Sequence, residues 1–272
     1  HDAMLDAADF VAAVQKRQGA FFLTIGLPAR DDAWLAGFTK GMTELSRQAG
    51  CPLLGGDTTR TAKVGDIHAP VTISITAMGE LPQSMGLTRS GARPGDDIWV
   101  SGCVGGAWAA LMHRWGKLTL DARVFPAAAL AMDRPNPRNA LGTALLSSAT
   151  ACADISDGLA QDLGHILERS GVDADVLWDA VPKHPALAAL SQEQQVEAAM
   201  SGGDDYELVF TAPADKRGLI EQASISALTP VTRIGRIVEK KPSGAPLAIR
   251  DASGRPLFLP VQGFDHFAQS AD

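Results

Sequence analysis

The sequence predicts an α+β, or mixed α/β, protein that is built in two parts. Strand-like and helix-like segments are mixed along the 272 residues without the regular rhythm of repeated βαβ units. A stretch rich in glycine and proline, "SGARPGDDIWVSG", separates two groups of segments and indicates a domain boundary. With 46% hydrophobic and 20% charged residues, a packed core is expected. We therefore expect an amino-terminal domain over residues 1–93 and a carboxy-terminal domain over residues 94–272.

The amino-terminal part begins with a helix, a strand and a second helix. Residues 5–18 have helical spacing, and "FFLTIGLP" (21–28) is typical of a buried strand that proline stops. The next segment starts at Asp31 or Asp32, either of which can cap a helix, and Gly50 stands where a C-cap belongs. Its apolar stripe consists of Trp34, Leu35, Phe38, Met42 and Leu45.

Two further strands are expected before the boundary. Cys51 to Leu54 form a short one that ends at the glycine pair 55–56, where the backbone is bare. The segment "VTISITAMGEL" (71–81) alternates strictly between apolar and polar residues, which predicts a half-buried strand. Its apolar face consists of Val71, Ile73, Ile75 and Ala77.

The carboxy-terminal part starts with a strand at Ile98 to Val100, followed by a glycine-rich turn and an apolar helix over residues 106–115. Residues 119–140 lack a clear period and are expected to be loop-like. Further elements follow to the end of the chain: strand "ACADIS", helix "GLAQDLGHILERSG", helix "SQEQQVEAAM", and strands "YELVF", "RIGRIV" and "LFLP".

Charge and cysteine content exclude some classes of function. The net charge is −7 and lysines and arginines do not cluster, which argues against a nucleic-acid surface. The three cysteines are scattered, which indicates a reducing compartment such as the cytoplasm rather than a disulfide framework. No apolar run approaches the roughly 20 residues that span a bilayer. An anionic substrate would need metal ions or backbone N–H groups to offset repulsion.

Three acidic turns, each with glycine beside it, stand between regular elements: "GGDTTR", "ADISDGL" and "SGGDDYEL". Glycine lets the backbone approach a ligand closely. Carboxylates beside hydroxyl groups and free amides are the hard oxygen ligands that Mg²⁺ prefers. The acids of these turns are therefore candidate metal or phosphate-site residues: Asp57, Asp154, Asp157, Asp204, Asp205 and Glu207.

Each turn also has a purely structural interpretation. Asp57 can brace a loop through an Asx-turn, and Asp157 or Ser156 can cap the helix that follows. Asp204 and Asp205 can form a solvated turn before a strand. The sequence leaves these alternatives open for each turn, although three such turns in one chain weaken the joint structural interpretation.

Other motifs are weaker. Arg89 in "LTRSGA" can clamp a phosphate or be an ordinary surface arginine. The stretch "SGCVGGA" (101–107) is similar to a phosphate loop, but glycine-rich turns between a strand and a helix are frequent. The sequence contains no P-loop motif, no HExxH or CxxC motif and no GxSxG elbow.

Four stretches together resemble the thiamine-monophosphate kinase family, in the superfamily of aminoimidazole ribonucleotide synthetase: "LLGGDTTR", "LTRSGARPGDDIWVSG", "DISDGLAQDLGHI" and "SGGDDYELVFT". "GFDHF" near the end also looks like the family's ending. The resemblance implies a two-domain α+β architecture of mixed sheets flanked by helices. It implies direct, in-line phosphorylation of thiamine monophosphate by ATP with Mg²⁺, and a homodimer formed through the amino-terminal sheet.

The resemblance also implies roles for individual residues. Gly56, Asp57, Arg89 and Ser156 would contact ATP. Metal ligands would be Asp57, Asp154 and Asp157, with Asp9 in "ADFVAAVQ" as a further candidate. Asp204, where the family usually has glutamate, and Phe264 would face the thiamine substrate. No catalytic side chain is assigned.

One departure from the family keeps other functions open. The family has an acidic GDD turn, a further aspartate-bearing strand and a histidine in an amino-terminal segment that nothing in these residues matches. Without those ligands the chain could be a non-catalytic protein that binds a nucleotide or a thiamine phosphate. A sister ATP-dependent synthetase is the third possibility, and the "GGDDYEL" turn argues against it.

Overall fold

The computed structural model of the chain describes residues 19–65, 67–80 and 86–257. Within these residues mixed sheets lie beside helices, which confirms the predicted α+β class. The helix expected over residues 5–18 and most of the expected strand "LFLP" lie outside the described residues. None of the described helices combines the length and the apolar character that crossing a membrane requires.

The chain divides into two compact units, His1–Ser84 and Met85–Asp272. The expected domain boundary at residue 93 stays a prediction. Each unit contains its own sheet, so each is described by itself.

The first unit contains a three-stranded sheet with β1 (Ala20–Leu27) at its centre. Strand β2 (Leu53–Arg60) pairs with it in parallel and β5 (Thr72–Met78) pairs antiparallel. Helix α1 (Asp32–Ala49) joins β1 to β2, and its predicted caps are confirmed. The Asp31 side chain accepts a hydrogen bond from the Trp34 N–H, and the C-cap glycine has a φ of 61°.

Two expectations for this unit are wrong. Strand β2 does not end at the glycine pair but continues through it to Arg60. Strand β5 is present where the alternation places it, yet it is exposed along its length rather than half-buried. Between these strands, β3 (Lys63–Val64) and β4 (Ile67–His68) form a small antiparallel pair.

The second unit is built on a six-stranded sheet with the order β11-β8-β10-β6-β9-β7. Its only parallel pair within the described strands is β11 with β8. The strands are β6 (Asp97–Ser101), β7 (Ala151–Asp154), β8 (Asp173–Leu177), β9 (Leu208–Ala212), β10 (Val231–Val238) and β11 (Leu247–Arg250). The helices are α2 (Gly106–Arg114), α3 (Phe125–Asp133), α4 (Asn139–Leu145), α5 (Leu159–Ser170), α6 (Gln192–Ser201) and α7 (Arg217–Ser226).

Helix α3 lies in the region expected to be a loop, so that expectation is wrong. The segment "FPAAALAMD" is rich in alanine and has proline in its first turn, where the missing N–H costs nothing. Ala128 of this helix is fully buried, so tertiary packing adds to the local preference.

Apolar clusters pack against both faces of the six-stranded sheet. Ile98 and Val100 belong to the larger cluster, with Leu163 of α5, whereas Trp99 between them belongs to a second cluster with Ile220 of α7. This alternation follows from the two-residue period of a strand. Because the sheet is packed on both faces, it fixes the ends of the loops that follow β7 and precede β9.

Candidate functional site

The loop between β7 and α5 contains three of the predicted site residues. Asp154 ends β7 and is exposed, while Ser156 and Asp157 are partly buried. Gly158 follows with a φ of 115°, and a Cβ on it would lie 2.8 Å from the Met200 carbonyl oxygen. Only glycine fits this close approach, so the loop needs it to reach helix α6.

A buried carboxylate, Asp162 in the first turn of α5, holds this loop in place. Its Oδ2 accepts hydrogen bonds from the backbone N–H of Ser156 at 2.9 Å and of Asp157 at 3.0 Å. Burial raises the pKa of Asp162, and the two N–H groups oppose that shift. The N-cap of α5 is Gly158, without a side-chain cap bond, so the interpretation of Ser156 or Asp157 as a mere helix cap is wrong.

Among the described residues, one group of three has possible metal-ligand atoms within 4.8 Å of one another: Asp157, Asp162 and His165. The oxygens of Asp157 suit Mg²⁺, whereas the imidazole nitrogen is a softer ligand. Sequence reasoning missed Asp162 and His165. Their spacing of three residues on a predicted helix, just after the acidic loop, was a signal that could have found them.

The turn before β9 lies directly against this loop. The backbone N–H of Asp204 donates to the Ser156 carbonyl at 2.9 Å, and that of Tyr206 donates to the Ile155 carbonyl at 2.8 Å. A Cβ on Gly203 would lie 2.5 Å from the Ser156 carbonyl oxygen, so the approach depends on glycine. The structure therefore places the backbone of Asp204 beside that of Ser156.

Two residues of this turn face outward and lie in a negative field. Asp204 and Tyr206 are exposed, and the Tyr206 hydroxyl donates to Asp204 Oδ1 at 3.0 Å. The pKa of Tyr206 is raised by burial first, then by the bond to Asp204 and the charges of Asp154 and Asp157. Cations would relieve this concentration of negative charge.

Asp205 faces inward instead. Both of its carboxylate oxygens lie 2.9 Å from the backbone nitrogen of Gly105, which donates to them at the start of α2. Burial raises the pKa of Asp205 to about 8. The interpretation as a solvated turn is thus wrong for Asp205. The Gly105 N–H of the "SGCVGGA" loop already has a carboxylate partner, which weakens the interpretation of that loop as a phosphate loop.

Glu207 also faces inward, into a buried ion pair. Arg138 Nε donates to its Oε2 at 2.7 Å, Arg138 Nη2 donates to its Oε1, and Ser101 Oγ donates to Oε2 at 2.5 Å. Glu207 is 6% exposed, and a Cβ on Gly102 would lie 2.0 Å from its Oε1. Of the three acids in "GGDDYEL", only Asp204 is therefore exposed to a ligand.

Asp57 lies in the first unit, within β2 rather than in a loop, so the loop-bracing interpretation is wrong. The pairing of β1 with β2 shifts at Leu54, which forms a bulge just before the glycines. A Cβ on Gly56 would lie 1.8 Å from the carbonyl oxygen of Leu23 in β1. Glycine thus keeps the two strands paired while Asp57 is exposed.

Arg89 belongs to the second unit and its side chain is exposed. Its carbonyl accepts a hydrogen bond from Ser170 Oγ at 3.3 Å, and the carbonyl of Thr88 accepts one from the Cys152 N–H at 2.9 Å. The segment therefore runs beside β7 at Cys152, which is two residues before Asp154. The roles of all the proposed site residues stay predictions, and Asp9 and Phe264 lie outside the described residues.

Comparison with known proteins identifies relatives over both units. The AIR synthase related protein N-terminal domain matches residues 1–81, and the C-terminal domain of that family matches residues 93–246. The thiamine-monophosphate kinase of Escherichia coli K12 is 37% identical over 248 residues, which are 90% of this chain and 73% of the relative. That of Haemophilus influenzae is 36% identical over 91% of this chain and 73% of its own length.

Solved structures give the same result. The crystal structure of thiamine-monophosphate kinase from Stenotrophomonas maltophilia K279a has a TM-score of 0.77 and 38% identity, covering 88% of this chain and 74% of that one. AaThiL complexed with AMPPCP and TMP has a TM-score of 0.73 and 25% identity, covering 93% of this chain and 76% of that one. The predicted family and its two-domain architecture are therefore confirmed.

Proposed function

The chain belongs to the thiamine-monophosphate kinase family of AIR synthase related proteins, and we propose from this premise that it transfers a phosphoryl group from ATP directly to thiamine monophosphate. The products are thiamine diphosphate and ADP. The observation that carries this conclusion is 37% identity over 90% of the chain to a kinase of that name. In support, two of the acidic turns adjoin each other in the second unit, where the Asp204 N–H donates a hydrogen bond to the Ser156 carbonyl.

Phosphoryl transfer requires positioning and charge neutralisation more than covalent chemistry from the protein. A chain of net charge −7 repels two phosphorylated substrates. The carboxylate oxygens of Asp57 in the first unit and of Asp154 and Asp157 in the second have the chemistry that fits Mg²⁺, so we assign each of them as a Mg²⁺ ligand, with Asp9 as a further candidate. Bound Mg²⁺ neutralises and orients phosphate oxygens.

The remaining residues would hold the substrates. The exposed residue Gly56 would contact phosphate oxygens beside Asp57, and the exposed guanidinium of Arg89 can pair with phosphates. Ser156 offers a hydroxyl to the nucleotide. The exposed carboxylate of Asp204 complements the cationic ring of thiamine, and Phe264 would supply an aromatic face.

Product analysis tests this function directly. The protein is incubated with ATP, Mg²⁺ and thiamine monophosphate, and nucleotides and thiamine phosphates are separated by chromatography. Joint appearance of ADP and thiamine diphosphate is expected. ATP turnover only with another acceptor would identify a sister synthetase, and binding of both substrates without any turnover would identify a non-catalytic binding protein.

A homodimer and a cytoplasmic location complete the proposal. Ile73 and Ile75 on β5 are 42% and 55% exposed, and both sit opposite apolar residues of β1 on one face of the sheet. A second copy of the chain would cover the exposed side chains of Ile73 and Ile75, and the free cysteines support a reducing compartment. Ile75→Glu is expected to give monomers in sedimentation equilibrium, whereas Ile225→Glu, at a site 74% exposed in the second unit, leaves the dimer intact. A dimeric Ile75→Glu protein would contradict this interface.

A further inference from the structure

The turn that precedes β9 has an unusual backbone. Asp204 and Tyr206 have φ angles of 57° and 51°, and among the described residues only one other non-glycine residue, Leu228, has a positive φ. Positive φ is unfavourable for residues with a Cβ, because the Cβ crowds the following carbonyl oxygen. Two such residues separated by one position need a compensating contact, and strain of this kind clusters at functional sites.

The residue between them supplies that contact. Asp205 binds the Gly105 N–H with both carboxylate oxygens, across a sequence separation of 100 residues. The start of α2 has free N–H groups and a partial positive charge, and no side chain from its own segment caps it. Helix α2 itself is firmly packed, since Trp108, Ala109 and Ala110 are buried. The bond therefore ties the turn to a rigid part of the unit.

The geometry points to Asp205 as a positioning residue, whose bond to the start of α2 holds the strained turn so that Asp204 and Tyr206 face outward. This inference rests on the proposed function where it takes Asp204 to contact the thiamine substrate. The neighbouring loop has its own support, because Asp162 binds the backbone of Ser156. Loss of the Asp205 bond is thus expected to disturb the thiamine side of the site more than the nucleotide side.

Tyr206 is the only tyrosine of the chain, so the protein labelled with 3-fluorotyrosine gives a single ¹⁹F resonance from the turn itself. We compare Asp205→Ala, Asp205→Asn and the matched control Asp215→Asn, which changes an exposed aspartate of the same unit. The alanine variant is expected to move the resonance toward that of the unfolded chain. It should also raise KM for thiamine monophosphate about tenfold, as expected for the loss of one buried hydrogen bond.

The asparagine variant keeps one oxygen that can accept from Gly105, so its resonance and its KM are expected between those of the wild type and the alanine variant. KM for ATP should change by less than about twofold in either, and Asp215→Asn should match the wild type. A folded Asp205→Ala protein with the wild-type resonance would overturn the inference. Should that variant not fold, an unmoved resonance in Asp205→Asn would overturn it instead.

The two readouts separate this inference from the proposed function. A displaced resonance in a protein that turns over no thiamine monophosphate would keep the positioning role and refute the kinase. If the protein is an active kinase and the Asp205 variants have the wild-type resonance and KM values, the positioning role alone is refuted.

Discussion

Removal of the Arg138 side chain is expected to destabilise the second unit by about 3–5 kcal/mol. Arg138 and Glu207 form a bidentate ion pair in which the two side chains are only 17% and 7% exposed. The Arg138→Ala change leaves the Glu207 carboxylate buried with Ser101 Oγ as its remaining side-chain donor. The cost comes from this uncompensated charge rather than from the lost attraction alone.

The magnitude separates this pair from an exposed one. Arg123 and Asp121 also form an ion pair, but their side chains are 89% and 52% exposed, so Arg123→Ala is expected to cost less than about 1 kcal/mol. For a unit of this size each kcal/mol lowers Tm by about 2–4 °C, so Arg138→Ala should lower it by roughly 6–20 °C.

Urea unfolding followed by tryptophan fluorescence measures this difference, because four tryptophans lie in the second unit: Trp99, Trp108, Trp115 and Trp178. Adding Glu207→Gln to Arg138→Ala removes the stranded charge and is expected to restore part of the stability. If Arg138→Ala unfolds no more easily than Arg123→Ala, or if the added Glu207→Gln restores nothing, the reasoning is refuted.

Two further predictions concern the glycine of the first unit and a buried thiol. Gly56→Ala should destabilise the first unit by several kcal/mol, since the added Cβ would lie 1.8 Å from the Leu23 carbonyl oxygen. Gly37→Ala, in open space on α1, should be neutral or stabilising. Hydrogen exchange of the backbone amides of the first unit measures both effects. Equal effects would contradict the close-approach argument. Burial raises the pKa of Cys152 to about 12, so its alkylation at pH 8 should be roughly a thousandfold slower than that of a free thiol and rise tenfold per pH unit. Rapid labelling of Cys152 in the folded protein would contradict this.

Local sequence patterns predicted the elements whose local and tertiary preferences agree. The strict alternation in residues 71–78 located β5, and the aspartate and glycine that flank α1 located its ends. The glycine pair 55–56 wrongly suggested the end of strand β2. Glycine is needed there because the backbone of β1 approaches closely at Leu23, a residue that is distant in the sequence. The alanine-rich helix α3 was missed because it has weak amphipathic character, and because Pro135 and Pro137, just after it, suggested a loop.

The sequence indicated the exposed acids of the candidate site, but it did not indicate which acids are buried and hold the turns in place. Glycine-flanked acidic motifs that are visible in the sequence contain Asp154, Asp157 and Asp204. The inward orientation of Asp205 and Glu207 depends on Gly105 and Arg138, which are far away in the chain, so only the fold reveals it. A run of acids in a turn can therefore contain both exposed carboxylates and buried anchors, and burial distinguishes them.

The magnesium dependence of nucleotide binding tests the central claim most directly. Affinity for the ATP analogue AMPPCP is measured by calorimetry with Mg²⁺ and with a chelator, for the wild type and for Asp157→Asn. We expect Mg²⁺ to tighten binding by the wild type tenfold or more, and Asp157→Asn to lose most of that gain at an unchanged Tm. If the wild type binds AMPPCP equally well with and without Mg²⁺, the claim that the acidic motifs bind phosphates through metal ions is contradicted.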